Sequence, residues 1–232
     1  MTNFTMLVHN RPRLTQQALR SLGDCSEMTV TVLGHNCDPE TQYVVTESLQ
    51  HLDTDSSVCF LWEQSGTGAA RNRVIGDAEH YHGRGEFLYL SDNDVYFLRP
   101  DWLKILIANY EIGWKHGFCV LGAYNHPYHQ HGARFSGAEG YEIAEVSALA
   151  LQSMLMKWEV WDRYGPFKRT TPGMVCDNED VEFAWRIAAN GFRLGVIDPP
   201  LLVNCGITNS FGGKIPGWEI VQAQAPEGVI VA

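Results

Sequence analysis

Strand-like and helix-like segments alternate through the first 124 residues, and this alternation limits the possible folds more than any other feature of the chain. Apolar, β-branched runs predict strands at 5–8, 28–33, 58–62, 87–90 and 118–121. Helical periodicity with turn residues at the ends predicts helices at 12–22, 41–52, 66–78 and 102–110. Alternation of this kind predicts an α/β fold with a mostly parallel central sheet and helices on both faces.

The fourth predicted strand carries directly into two carboxylates, in the stretch FLYLSDNDVYF at 87–97. Asp92 and Asp94 are two positions apart, so on an extended backbone their side chains point the same way. Carboxylate oxygens suit Mg²⁺ or Mn²⁺, which bind a few such ligands together with substrate phosphates. A polar turn is the alternative interpretation. Ligands of parallel sheets bind beyond the carboxyl ends of the strands, which favours a metal–diphosphate site.

Two further segments contain candidate functional residues. The sequence GTGAARN at 66–72 brings small residues to a helix start, where backbone and Arg71 can approach a phosphate or a base. An ordinary loop-to-helix junction would look similar. Glu179 and Asp180 lie in the first turn of a predicted helix at 179–190, where acidic residues are common. The functional interpretation makes one of them a general base that faces the cleft.

The pattern changes after residue 124. Residues 125–140 show no clear period, which predicts a substrate loop that contains His126, His129 and His131. The histidine spacing matches no standard zinc site, so contact with an acceptor is the preferred interpretation. A strand at 143–151 and a helix at 157–164 follow, and the tail after residue 199 is predicted to be a loop. We expect a single domain over 1–232.

Composition excludes several classes of protein. The formal net charge of -10 disfavours broad binding to nucleic acid or to an anionic membrane. The six cysteines form no C-x-x-C pair, which indicates free thiols in a reducing, cytoplasmic setting. The N-terminus lacks the pattern of a secretory signal. No apolar stretch approaches the roughly 20 residues that span a bilayer.

Taken in order, five segments resemble the nucleotide-sugar glycosyltransferases of the GT-A fold, especially family 2. The resemblance covers nearly the whole chain, from residue 6 to residue 213. The five segments are LVHNRPRLTQQALRSL, GTGAARNRVIGDA, YLSDNDVYF, SMLMKWEVWDRYGPF and NEDVEFAWRIAANGFRL. Each motif is short, and five of them in the right order are a specific signal.

The resemblance implies a role for each candidate residue. Asp92 and Asp94 would hold Mn²⁺ or Mg²⁺ on the diphosphate of the donor, and Asp180 would deprotonate the hydroxyl of the acceptor, with inversion at the sugar. Residues 1–124 would bind the nucleotide sugar and residues 125–232 the acceptor. Residues implied to lie beside the nucleotide are Asn10, Arg11, Arg71, Asn72 and Asn93.

Two departures from the family pattern concern the donor and the metal. Gly34, His35 and Asn36 stand where the family has an acidic residue that contacts uracil, so a UDP-sugar donor is a default only. Asn204 stands where the family often has a metal-binding histidine. An amide oxygen can ligate a hard cation, and a histidine of the 126–131 loop is the alternative.

Other functions are consistent with the same motifs. The chain is expected to be a glycosyltransferase acting on a glycan or another hydroxyl acceptor. A nucleotide-sugar-binding module without turnover is one alternative. A transferase that glycosylates modified DNA bases, as in some phages, is another, and the negative net charge argues against it.

Overall fold

A computed structural model describes residues 1–62, 65–124, 131–168, 178–206 and 225–232, with only the backbone described at position 131. The strands are β1 (Thr2–Val8), β2 (Met28–His35), β3 (Ser56–Leu61), β4 (Phe87–Asp92), β5 (Val95–Phe97), β6 (Phe118–Gly122), β7 (His131–Ser136), β8 (Glu142–Val146), β9 (Ser153–Lys157), β10 (Arg193–Asp198) and β11 (Leu202–Asn204). The helices are α1 (Pro12–Arg20), α2 (Pro39–Gln50), α3 (Thr67–His82), α4 (Trp102–Lys115), α5 (Trp158–Tyr164) and α6 (Glu179–Ala188).

Local sequence signals explain where several helices begin. Pro12 and Pro39 occupy first-turn positions of α1 and α2, where the missing N–H of proline costs no hydrogen bond. Asp38 caps α2, because its side chain accepts a hydrogen bond of 2.7 Å from the backbone N–H of Thr41. Gly66 stands before α3 with a φ of 76°, a conformation that glycine adopts without strain.

Nine strands form one sheet in the order β3-β2-β1-β4-β9-β6-β10-β8-β7. Neighbours from β3 to β4 are parallel, and β6 is parallel to β10. Strand β9 runs antiparallel to both β4 and β6, and β8 runs antiparallel to β10 and β7. All the strands of this sheet except β8 and β9 therefore point the same way. The expectation of a mostly parallel α/β sheet is confirmed.

Helices cover both faces of the sheet. On one face α1, α2 and α4 contribute Leu19, Val45 and Trp102 to a core that also contains Phe4 and Tyr89 of the sheet. On the other face α3, α5 and α6 pack a second core, and the side chains that alternate with the first set along the strands point into it. Two apolar cores therefore hold the carboxyl ends of β1 and β4 side by side.

The second half of the chain contains more strands than the sequence predicts. The expected loop at 125–140 includes β7 and its pairing with β8, while His126 and His129 lie outside the described residues. Strands β9 and β10 were not predicted, and β11 lies in the tail that was expected to be a loop. The strand expected at 143–151 ends at Val146. Among the described residues, no helix combines the length and hydropathy that crossing a membrane requires.

Candidate active site

The turn after β4 is fixed against the loop after β1. The two strands are parallel neighbours, with Leu7 paired to Asp92, so both loops leave the same edge of the sheet. Asn93 is buried, and its amide nitrogen donates to the backbone oxygen of Asn10 at 2.9 Å and to Oγ1 of Thr15 at 2.7 Å. Asn93 was expected beside the nucleotide. The structure shows it binding the first turn of α1, which sets the position of the two aspartates on either side.

Arg71 is the centre of the site. Its side chain is fully buried, and its guanidinium donates to the backbone oxygen of Ser91 at 2.5 Å and to the carboxylate of Asp92. Burial lowers the pKa of Arg71 to about 10, so it remains a cation at neutral pH. Three nearby carboxylates, those of Glu179, Asp94 and Asp180, act in the opposite direction and raise this pKa. The end of β4 and the start of α6 therefore lie around one buried positive charge.

Asp94 forms an ion pair with Arg11, the residue that precedes α1. Nη1 of Arg11 donates to Oδ2 of Asp94 at 2.9 Å, and the two side chains are 28% and 15% exposed. The other carboxylate oxygen, Oδ1, is buried and has no hydrogen-bond partner among the described residues. Burial raises the pKa of Asp94, while the charges of Arg11 and Arg71 oppose the rise. An unpartnered buried carboxylate oxygen is unusual and indicates a group that is built for a ligand.

The chain segment after β11 closes over Asp94. Strand β11 pairs with β5 so that Asn204 lies opposite Val95, and the backbone N–H of Cys205 donates to the carbonyl of Asp94 at 2.6 Å. Gly206 approaches so closely that a Cβ there would overlap Oδ2 of Asp94. Asn204 is buried, and its Oδ1 accepts a hydrogen bond of 2.8 Å from the N–H of Gly206. The predicted third ligand therefore lies on the segment that contacts Asp94.

Glu179 and Asp180 reach the site because α3 and α6 meet at a glycine. A Cβ on Gly68 would overlap the carbonyl oxygen of Lys168 and lie 3.7 Å from Cβ of Glu179. Burial raises the pKa of Asp180, the charge of Glu179 raises it further, and a hydrogen bond of 2.8 Å from the N–H of Val181 lowers it. A carboxylate with a raised pKa is a better proton acceptor near neutral pH.

Asn72 was expected beside the nucleotide, and its amide has a different partner. Its Nδ2 donates to the carbonyl of Phe167 at 2.9 Å, and its Oδ1 accepts from the N–H of the same residue at 2.9 Å. Because both polar atoms are used, Asn72 fastens α3 to the segment after α5. The preceding residue in the motif, Arg71, likewise makes its contacts inside the protein.

His35 is a site residue whose role the sequence did not reveal. It ends β2 and is buried, and its Nε2 accepts a hydrogen bond of 3.0 Å from the N–H of Ser65. Its carbonyl oxygen lies 2.7 Å from Nδ1 of His9. Asn10 continues this network, since its Oδ1 accepts from the N–H of Asp38 at 2.8 Å. These contacts join the loops after β1 and β2 to the approach to α3, and no local sequence pattern predicts them.

The donor set fits a hard divalent cation. Asp92 and Asp94 would supply oxygen ligands, and within the described part of the chain Oδ1 of Asp94 is a buried acceptor without a partner. Among the described residues there is no group of three or more His, Cys, Asp or Glu side chains that could hold a metal by themselves. Two carboxylates are sufficient where substrate phosphates complete the coordination, as is usual for Mg²⁺.

A cavity of about 280 Å³ lies elsewhere, between α1 and α2. Its lining includes Arg20, Cys25, His51 and Asp53, which adjoin the amino ends of β2 and β3. The aspartates of the site follow the carboxyl end of β4. Because the cavity is at the opposite edge of the sheet, it belongs to a different region from the candidate active site.

Comparison with known proteins gives structural relatives only. No family model and no curated protein sequence matches the chain. The mannosyltransferase PcManGT of Pyrobaculum calidifontis, solved with GDP-Man and Mn²⁺, superposes with a TM-score of 0.60 at 17% identity, over 86% of this chain and 54% of that one. TarS 1–349 of S. aureus, solved with UDP-GlcNAc, gives a TM-score of 0.60 at 19% identity, over 86% and 57% of the two chains.

A third structure is similar in the same way. GalNAc-T7, solved with UDP, GalNAc and Mn²⁺, gives a TM-score of 0.59 at 14% identity, over 84% of this chain and 41% of that one. The chain therefore has the GT-A fold of the nucleotide-sugar glycosyltransferases. It spans little more than half the length of the first two proteins and less than half the length of the third.

Proposed function

We propose that this chain is a metal-dependent glycosyltransferase that moves a sugar from a nucleoside-diphosphate sugar to a hydroxyl acceptor. The observation that carries the proposal is the meeting of two carboxylate pairs around Arg71. One pair, Asp92 and Asp94, follows β4, and the other, Glu179 and Asp180, begins α6. The position of Asp92 and Asp94 at the carboxyl end of a parallel strand in a GT-A fold supports this function.

In the proposed site, Asp92 and Asp94 hold Mn²⁺ or Mg²⁺. When bound, such an ion offsets the negative charge that develops on a departing diphosphate. Asn204 is the proposed third ligand, because a carboxamide oxygen has two lone pairs and can accept from Gly206 while it ligates. Three of the solved relatives, the mannosyltransferase, GalNAc-T7 and glucosyl-3-phosphoglycerate synthase, are complexes with Mn²⁺.

Asp180 is the proposed general base. It takes the proton of the acceptor hydroxyl while that oxygen attacks the anomeric carbon, and the diphosphate leaves from the opposite face with inversion. Burial, which raises the pKa of Asp180, brings this carboxyl closer to the pH at which proton transfer is most efficient. Glu179 supports the base role electrostatically, because its charge also raises the pKa of Asp180.

The donor is proposed to bind along the carboxyl ends of β1 to β4. Asn10 and Arg11 would border the nucleoside, while Arg71, Asn72 and Asn93 shape the floor of the site from within. UDP is the default nucleotide of the donor, since TarS was solved with UDP-GlcNAc, although the mannosyltransferase was solved with GDP-Man. Residues 1–124 would provide most of the donor site and residues 125–232 most of the acceptor site, within one domain.

A reducing, cytoplasmic setting is proposed on the cysteines. The described cysteines, Cys25, Cys37, Cys59, Cys119 and Cys205, are free thiols.

A glycan or another hydroxyl compound is the proposed acceptor, because the net charge of -10 disfavours duplex DNA. A module that binds nucleotide sugar without turnover is the second candidate, because Asn204 is a neutral amide and would ligate a hard cation less strongly than a charged group.

A thermal-shift screen tests the donor and the ion together. The protein is heated with UDP, GDP, TDP or CDP, each with and without Mn²⁺. A ligand that binds the native state raises the melting temperature by mass action, by about 2–4 °C per kcal/mol for a chain of this size. We expect one base to give a shift that requires Mn²⁺. The absence of any Mn²⁺-linked shift would contradict the proposed function.

Matched variants test the metal site and turnover. Asp94→Asn should remove the Mn²⁺-linked shift, whereas Asp24→Asn, at an exposed aspartate, should leave it unchanged. Release of nucleoside diphosphate then separates the enzyme from the binding module. The diphosphate is released only when the sugar of the donor is transferred to an acceptor or to water. Binding without any release would favour the module.

A further inference from the structure

Arg11 forms an ion pair with Asp94, the proposed metal ligand, and its backbone is held in a fixed position. It has φ and ψ of 61°, in the left-handed region that a residue with a side chain adopts rarely. Its carbonyl accepts hydrogen bonds of 3.0 Å from both the N–H and Oγ1 of Thr15. The first turn of α1 therefore holds the backbone of Arg11 while its guanidinium reaches Asp94.

Asp94 has no room to turn away from this guanidinium. Its backbone carbonyl is bound by the N–H of Cys205, and Gly206 packs directly against its carboxylate. A Cβ on Gly206 would lie 2.9 Å from Nη1 of Arg11, so the glycine borders both partners of the ion pair. A cation that takes Oδ2 of Asp94, alone or together with Oδ1, therefore has to displace the guanidinium.

The two arginines of the site differ in how deeply their side chains are buried. Arg71 is fully buried and also binds the carbonyl of Ser91, so it is built into the core. Arg11 is at the rim, with 28% of its side chain exposed. A guanidinium and a divalent ion at the same carboxylate repel each other, and the low dielectric of a mostly buried site strengthens the repulsion. Arg11 is therefore the group that an incoming cation displaces.

We propose that Arg11 competes with the divalent cation for Asp94, so that the guanidinium keeps the metal site closed while no donor is bound. This inference rests on the proposed function, because it takes Asp94 as a metal ligand. Arg11 is in this view a gate to the metal site in addition to a residue that borders the nucleotide. Its removal should make the protein bind the metal more tightly when no nucleotide is present.

Binding of Mn²⁺ alone tests the gate. Electron paramagnetic resonance of free Mn²⁺ gives the dissociation constant of each full-length variant without nucleotide. Arg11→Gln should bind Mn²⁺ at least about tenfold more tightly than the parent protein, since the charge-assisted hydrogen bond to Asp94 no longer competes with the ion. Arg13→Gln removes an equal charge from an exposed position two residues away and should leave the affinity unchanged. Arg11→Lys, which keeps the charge without the planar fork, should be intermediate.

Three further outcomes decide between the gate and the metal site. Arg11→Gln that folds and binds Mn²⁺ no more tightly than the parent would overturn the gate alone. A gain in Mn²⁺ affinity that persists in the double variant Arg11→Gln, Asp94→Asn would also overturn the proposed gate, because the cation would then bind elsewhere. Failure of every variant to bind Mn²⁺ would remove the proposed metal site together with the gate. If Arg11→Gln does not fold, Arg11→Asn replaces it, since asparagine tolerates the left-handed backbone.

Discussion

The side-chain amide of Asn72 forms two hydrogen bonds with the backbone of Phe167, one in each direction and each 2.9 Å long. The two residues are 95 positions apart, so this pair closes a long loop. It joins the first turns of α3, which contain Arg71, to the segment that leads towards α6. The relative position of the two carboxylate pairs therefore depends on the Asn72 amide.

Replacement of this amide should cost stability. We expect Asn72→Ala to lower the free energy of unfolding by about 1–3 kcal/mol, because the N–H and carbonyl of Phe167 lose their partners. Urea denaturation followed by circular dichroism measures the change. Asn190→Ala removes an exposed asparagine with one local hydrogen bond and should change stability by less than about 0.5 kcal/mol. Equal effects of the two substitutions would contradict the role of the Asn72 clamp.

Asp180 should separate turnover from donor binding. We expect Asp180→Asn to lower the rate of sugar transfer by about 10²–10⁴-fold, the usual contribution of a general base. The Mn²⁺-linked thermal shift with nucleotide should persist, since the metal carboxylates are unchanged. Glu182→Gln, on the same helix and paired with Arg186, is the control and should retain turnover. A variant at position 180 with parental turnover would exclude Asp180 as the base.

The same substitution should stabilise the protein in a pH-dependent way. Burial raises the pKa of Asp180 above its ordinary value of 3.8, so the unfolded chain releases this proton at a lower pH than the native protein. The contribution of Asp180 to stability therefore falls as pH rises from about 4 through the raised pKa. We expect Asp180→Asn to raise the free energy of unfolding more at about pH 8 than at about pH 4. Urea titrations at the two pH values measure the difference, and a loss of stability at the higher pH would contradict it.

The proposed metal site should require glycine at position 206, because a side chain there would overlap the carboxylate of Asp94. Gly206→Ala would force the carboxylate of Asp94 and the guanidinium of Arg11 to move, so we expect loss of Mn²⁺-linked nucleotide binding in a folded protein. Gly76 lies within α3 with open space where a Cβ would stand. Gly76→Ala should therefore keep binding and gain about 0.5–1 kcal/mol of stability. Thermal shift with and without Mn²⁺ and nucleotide checks both variants, and normal binding by Gly206→Ala would show that the close approach is unimportant.

Hydropathy and turn chemistry predicted the first half of the fold well. The strands β1 to β4 and β6 and the helices α1 to α4 were each predicted within a few residues, because these strands are apolar on both faces and local residues end the helices. The second half was predicted less well. Strands β5 and β11 have three residues each and exist through their pairing with one another, which is a contact between distant parts of the chain. No local sequence pattern predicts such a contact.

The structure brings several of the predicted site residues together, while their contacts could not be predicted from the sequence. The structure brings Asp92, Asp94, Glu179 and Asp180 around Arg71, as their positions at element ends suggested. Their roles as ligands and base stay predictions. Burial of Arg71 could not be read from the sequence, because arginine is mostly exposed and only the surrounding carboxylates make its burial tolerable.

Strand β9 has a consequence for how the protein can be divided. It comes from the second half of the chain, yet it is hydrogen-bonded between β4 and β6 of the first half. A polypeptide that stops at residue 124 would leave those two strands with bare facing edges and no neighbour to join them. Separately expressed halves should therefore be insoluble alone and regain structure only when mixed, so the proposed donor-binding and acceptor-binding halves should fold only as one unit.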